Sequence, residues 1–155
     1  MTKFGHDILT SEFPDDDGSA HPGVIEALKA VTTDNSDSMN HLIELLISIR
    51  VLVPVVAEID ERDENGADKS SHMSSVLFQS ADGRVGLPVF TCVETLNHWN
   101  PEARPVPRSL RDVAASAIQE KYNAVLIDMA SSHRFALQGI NLARVAGVEV
   151  QPVYL

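Results

Sequence analysis

The sequence predicts a single α+β domain, a mixed sheet built on a central β-hairpin with helices packed against it. Three observations predict it. First, two β-rich runs, Met73 to Gln79 and Val85 to Phe90, flank Ala81-Asp82-Gly83-Arg84. Gly83 takes positive φ without a Cβ clash, so Asp-Gly there marks a tight reversal. Second, the second run leads straight into Thr91-Cys92-Val93-Glu94. Thr-x-x-Glu is the pattern of a capping box, in which two helix-start amides are satisfied reciprocally. Third, apolar residues recur at helical spacing on both sides of the hairpin, as in Leu42, Ile43 and Leu46, and again in Leu110, Val113, Ala114 and Ala117.

The totals suit this class. The chain has 155 residues, enough for one domain. Apolar residues make up 44%, an ordinary globular share. The formal net charge of −10 repels phosphate backbones and anionic lipid surfaces, so neither nucleic acid nor membrane is an expected partner. Cys92 is the single cysteine, which precludes an internal disulfide and suits a reducing compartment. No apolar run approaches the ~20 residues of a membrane span. No basic stretch followed by an apolar one opens the chain, so a secretory leader is not expected. A cytoplasmic protein is expected.

Residues 1–20 hold Pro14, Gly18 and Asp15-Asp16-Asp17, with sparse apolar residues and no period. They read as a mobile acidic arm, and residues 21–155 as the domain. A metal site from the three aspartates and His21 is the sharper reading, but consecutive carboxylates on a flexible chain rarely converge on one ion. Pro22 suits a first helical turn, and Val24, Ile25, Leu28 and Val31 share one face. After a polar break at 32–38, Met39, Leu42, Ile43, Leu46 and Ile47 define a second helix. His41 and Glu44, three apart, have no third ligand in view and read as a polar helix face.

Val51 to Ile59 is β-prone, and Pro54 within it, lacking an N–H, predicts an edge or a bulge. Asp60 to Asp68 reads as a charged loop. Beyond the hairpin, Cys92 to Trp99 is a short helix; Cys92 near its start is either a reactive thiol or, more commonly, a buried structural one. Asn100 to Arg108, with Pro101, Pro105 and Pro107, reads as an extended connection anchored by Trp99. Ser109-Leu110-Arg111-Asp112 is a second capping box, opening a helix that ends near Tyr122. Ala124 to Met129 is a buried strand, Ala130 to His133 a turn, and Arg134 to Leu137 a short strand. Gly139 to Ala146 is a helix stopped by Gly147, and Val148 to Leu155 is a terminal strand or tail.

Four segments carry a family resemblance over roughly residues 22 to 146. The first is the leading helix pair running into Val51-Leu52-Val53-Pro54-Val55-Val56-Ala57. The second is Asp68-Lys69-Ser70-Ser71-His72-Met73. The third is Gly83-Arg84 through Val89-Phe90-Thr91 and on to Trp99-Asn100-Pro101-Glu102-Ala103-Arg104-Pro105-Val106-Pro107. The fourth is Ala124-Val125-Leu126-Ile127-Asp128. With these, the chain resembles the SseB N-terminal-domain family, the enhanced-serine-sensitivity type; the Trp-x-Pro-x-Ala-Arg-Pro spacing is the most specific feature. The resemblance implies a small α+β domain of the bacterial cytoplasm with no established enzymatic reaction. Family members often carry an acidic residue where His72 stands. A second, C-terminal domain of this type is not expected in the chain.

Lys69-Ser70-Ser71 admits three readings. The serines cap turn amides; or Lys69, Ser70 and Ser71 join Arg104 in a pocket for a small anion or amino-acid-like ligand; or a serine acts as a nucleophile. The last needs a base and an oxyanion donor pair, and the Ser-x-x-Lys order is absent. Ser131-Ser132-His133 after Asp128 spells the residue types of a triad, but neighbours in one turn are usually just a turn. Glycine-rich phosphate loops, Cys-x-x-Cys and His-Glu-x-x-His are all missing, so no cofactor or metal is expected and no catalytic residue is assigned. The leading expectation is therefore a non-enzymatic interaction or regulatory module meeting a protein partner through Trp99, Pro101, Arg104 and Pro105. A ligand-binding domain comes second and a hydrolase third.

Overall fold

A computed structural model describes residues 13–62 and 68–149, without the side chains of 59–62 and 68–72. Twelve elements follow in order: α1 (Val24–Ala30), α2 (Ser36–Ser48), β1 (Arg50–Arg62), β2 (Asp68–Ser75), β3 (Phe78–Gln79), β4 (Val85–Val89), α3 (Val93–Trp99), β5 (Arg104–Ser109), α4 (Leu110–Gln119), β6 (Ala124–Ile127), β7 (Phe135–Gln138) and α5 (Gly139–Ala146). The domain is α+β. Its strands form two sheets instead of one: β2-β1-β5, all antiparallel, and β3-β4-β6-β7, in which β4 and β6 run parallel.

The Asp-Gly reversal is present but does not sit at the centre. Phe78 pairs with Gly86 and Gln79 with Val85, so β3 is a two-residue edge. The run Met73 to Gln79 is divided between the sheets, Met73 to Ser75 pairing with β1. Gly83 has φ 90°, as the turn requires. Asp82 closes that turn by accepting from the Ser80 hydroxyl and the Arg84 N–H, and these bonds lower its carboxyl pKa. The centre of the molecule is instead β1, which is flanked on both sides. Val51 and Val53 face the main core with Leu42, Leu46, Leu110 and Val125, while Leu52 faces a second cluster with Phe90, Leu96 and Ala103. Burial on both faces explains why this run is apolar without alternation. Reciprocal bonds between Leu52 and Phe90, 2.7 and 3.0 Å, tie the two sheets together.

Pro54 is on this central strand, not at an edge, and the ladder shows why it is tolerated. The Leu52 N–H and C=O face Phe90, so two residues on Pro54 faces the same way. Pairing with β2 begins only at Val55 with Ser75. The missing N–H therefore falls in the gap between the Phe90 bridge and the end of β2. The stretch expected as an extended connection is the strand β5, pairing Pro54 with Pro105 and Leu52 with Pro107. The same alternation turns the nitrogens of Pro105 and Pro107 away from β1, toward the side on which no strand pairs with β5 among the described residues.

The helices follow their local signals in part. Asn35 caps α2 by accepting from the N–H groups of Asp37 and Ser38. Ser109 caps α4 by accepting from Asp112 N–H at 3.1 Å, and Gly147 ends α5 at φ 76°. Ile47, expected on the buried face of α2, is 38% exposed. The Thr91 capping box is not formed: Cys92 occupies the cap position with no side-chain bond, because the Thr91 hydroxyl is engaged elsewhere. β1 runs past Ile59, the end of the β-prone run, to Arg62. Most of the loop expected between Asp60 and Asp68, and the chain before 13 and after 149, lie outside the described residues.

Of the expected acidic arm, residues 13–20 are described, and they are seated on the domain. Arg50 bonds Asp16 through both Nε and Nη2, and also donates to Thr91 O and Ser19 O at 2.6 Å each. Val93 N–H donates to Gly18 O at 2.8 Å, and a Cβ on Gly18 would come within 2.5 Å of Val93. The Arg50 hydrogen bonds, then the Gly18 N–H, hold the Asp16 carboxyl below the ordinary aspartate pKa, against the opposing effect of burial. Because the folded pKa is depressed, this contribution is complete above the unfolded value of about 3.9 and is lost as pH falls below it. Asp16→Asn should cost about 1.5–3 kcal/mol in urea unfolding at pH 7. The gap to the parent should narrow at pH 3; an unchanged gap there would mean the carboxylate charge is not what holds the segment.

Candidate functional site

The parallel pair β4 and β6 ends at one edge of its sheet, and the residues just past both strands meet there. Asp128 follows β6 and is fully buried, one of very few buried polar side chains among the described residues. Its φ of 51° lies in the left-handed region, which aspartate tolerates better than most residues. That bend turns the carboxylate back toward Thr91, which follows β4. Asp128 Oδ1 accepts from Thr91 N–H at 2.8 Å and from the Thr95 hydroxyl at 2.9 Å. Oδ2 accepts from the Thr91 hydroxyl at 2.6 Å and lies 2.8 Å from His133 Nε2. A buried carboxylate without donors is costly, and four donors offset that cost.

The cluster reaches three other elements. Thr95 lies in the first turn of α3, and its single hydroxyl proton is also within reach of Cys92 O at 3.0 Å, an alternative acceptor to Asp128. Cys92 is buried, its Sγ 3.7 Å from the Thr95 hydroxyl. Thr91 O accepts from Arg50, which links the cluster to the seated N-terminal segment. On the other side, the Ser131 hydroxyl donates to Asp128 O at 2.8 Å and accepts from His133 N–H at 3.2 Å. The types of a Ser/His/Asp set are thus partly assembled: Asp128 and His133 are in contact, but Ser131 Oγ is committed to the turn. This is a clamp across strand ends, with the serine as its brace.

The structure does not unite the residues read as a ligand pocket. Lys69, Ser70 and Ser71 lie on β2 and Arg104 on β5, on opposite sides of β1. Ser70 pairs with Glu61 and Arg104 with Val55, six residues apart on β1, or about 20 Å along the strand. The side chains of Lys69 to His72 lie outside the described ones.

The expected interaction loop forms a framed surface. Trp99 is half-buried, stacked on Phe90 at 5.6 Å between ring centroids and tilted against Phe78 at 5.8 Å. Asn100 then makes a tight turn, its Oδ1 accepting from Glu102 N–H at 2.9 Å and its C=O from Ala103 N–H at 3.2 Å. Ala103 is buried, and β5 begins immediately after. Pro101 and Glu102 are exposed between these anchors, and Arg104 and Pro105 are exposed at the start of β5. Trp99 is therefore the anchor of this surface, and its neighbours are its face. Beside it, the open face of the β3-β4-β6-β7 sheet forms a shallow concavity of about 420 Å³ lined by Phe78, Arg84, Leu126 and Met129 among others.

His41 and Glu44 are exposed on α2, and among the described residues no group of three or more His, Cys, Asp or Glu side chains is placed to hold a metal ion. Among the described residues no helix is long and apolar enough to cross a membrane.

A small α+β domain with a buried carboxylate clamp at the end of its parallel strands, and a tryptophan-anchored proline loop beside it, is the class of protein these features define. The family model for the SseB protein N-terminal domain matches residues 24–144, and the chain belongs to that family. No curated protein and no solved structure matches the chain.

Proposed function

We propose that this SseB-family domain is a non-enzymatic interaction or regulatory module, working in the cytoplasm and contacting a protein partner through the segment from Trp99 to Pro105. The observation that carries this reading is the framing of that segment. Ring stacking fixes one end and the burial of Ala103 fixes the other, with Pro101 exposed between them and Arg104 and Pro105 exposed at the start of β5. A surface ordered before contact loses little conformational entropy on binding. Arg104 supplies a planar, multi-donor contact of the kind that dominates interface energetics. The clamp at Asp128 supports the same reading, since its members bond to one another and to the turn.

The test is a triple variant, Pro101→Ala, Arg104→Glu and Pro105→Ala, compared with the parent in quantitative cross-linking and affinity capture from the native host. All three positions are exposed, so melting temperature should stay within a few degrees of the parent. Partner recovery should fall at least about tenfold. Equal recovery by both proteins would remove the reading.

A further inference from the structure

A second concavity, about 390 Å³, opens where the α1–α2 connection meets the turn between β6 and β7. Lys29, His133 and Arg134 line it, with the Thr33 hydroxyl, and Met39 and Phe135 give it an apolar wall. The chain as a whole carries 22 acidic against 12 basic residues, yet among the described residues no Asp or Glu lines this concavity. Neither Lys29 nor Arg134 has an ion-pair partner among the described residues. Two cationic side chains on the wall favour an anion there, and the buried Asp128 carboxylate behind His133 is already engaged by its own donors.

His133 adds direction. Its side chain is 8% exposed, and its Nε2 faces the Asp128 carboxylate. With Asp128 accepting from Nε2, Nδ1 has no partner among the described residues, and in the neutral ring it is an acceptor. The clamp thus holds a nine-tenths buried ring that lines the hollow beside Lys29 and Arg134.

We propose that this concavity binds a small organic oxyanion that carries an O–H or N–H donor close to its anionic group. Lys29 and Arg134 take the oxyanion, His133 Nδ1 accepts from the donor, and Met39 and Phe135 cover the carbon skeleton. The volume, about 390 Å³, lies in the range of ordinary small-molecule sites, about 300–1,000 Å³, and admits small anions. Carboxylate and phosphate heads share the chemistry, so both enter the test.

The experiment titrates the full chain with 3-hydroxybutyrate, butyrate and glycerol 3-phosphate, following the His133 ring nitrogens by long-range ¹H–¹⁵N correlation. At least one donor-bearing anion should shift Nδ1 saturably, the better head being the one with the tighter curve. Butyrate, which lacks the donor, should bind at least about fivefold more weakly than 3-hydroxybutyrate. Lys29→Ala with Arg134→Ala, both at exposed positions, should weaken binding at least about tenfold with the melting temperature unchanged. No saturable shift with either donor-bearing anion, equal binding of butyrate, or an unaffected double variant would each overturn the assignment.

Discussion

Asp128→Ala is expected to remove about 4–6 kcal/mol of stability, counting each buried donor left unsatisfied at about 1–3 kcal/mol. Four donors converge on this carboxylate, but they are not equally stranded. The Thr95 hydroxyl keeps a second acceptor in Cys92 O. Thr91 N–H cannot turn elsewhere, and His133 Nε2 loses the group that orients it. The left-handed φ of 51° adds to the loss, since alanine tolerates it less well than aspartate. Against a typical total of about 5–15 kcal/mol, this is a large share of the stability. Asp128→Asn should be milder, about 2–4 kcal/mol, because the bend and one acceptor survive while the new NH₂ confronts donors. Urea titrations of both variants give the comparison. If the alanine variant loses less than about 1 kcal/mol, the donors have found other partners and the clamp is not a structural keystone.

Phe90→Ala should cost about 3–5 kcal/mol, as for other fully buried aromatic truncations. Phe90 is the residue where three features meet: the backbone bridge to Leu52, the second apolar cluster and the stack under Trp99. Its removal should therefore also loosen the loop that Trp99 anchors. Trp99 is the single tryptophan, so its emission reports this directly. A red shift is expected in the folded variant, with weakened partner capture at a temperature where far-UV dichroism is native. Phe90→Leu should recover most of the stability but not the ring stack. Native emission in Phe90→Ala would show that Trp99 is held by Phe78 and Leu96 without it.

Where the determinants are local, the sequence is legible. Gly83 and Gly147 take the left-handed conformations their positions imply, and Ser109 caps α4 as the Ser-x-x-Asp spacing suggests. The apolar helix faces are mostly correct. What is not legible is whatever depends on a partner far along the chain. Thr91 offers the same hydroxyl to a helix cap and to Asp128, 37 residues away, and burial decides for the carboxylate. The hairpin is a true hairpin, but which side of the sheet it occupies depends on β6, which returns parallel to β4 after two intervening helices. Lys69 and Arg104 fall near each other only as residue types; strand order separates them. The clamp left one trace in the sequence, an aspartate ending an otherwise apolar strand. A charge in that position needs partners, and Thr91, Thr95 and His133 are candidates only once the fold is known.

The two proline nitrogens that face outward from β5 determine how the molecule behaves in a crowd. A stray strand arriving at that border finds carbonyls with no amide beside them at positions 105 and 107, so it cannot zip along the full length. Two missing donors disfavour strand addition from this side. A partner that does settle there must be read through side-chain chemistry and not through shared main-chain pairing, which leaves selectivity to Arg104 and its neighbours.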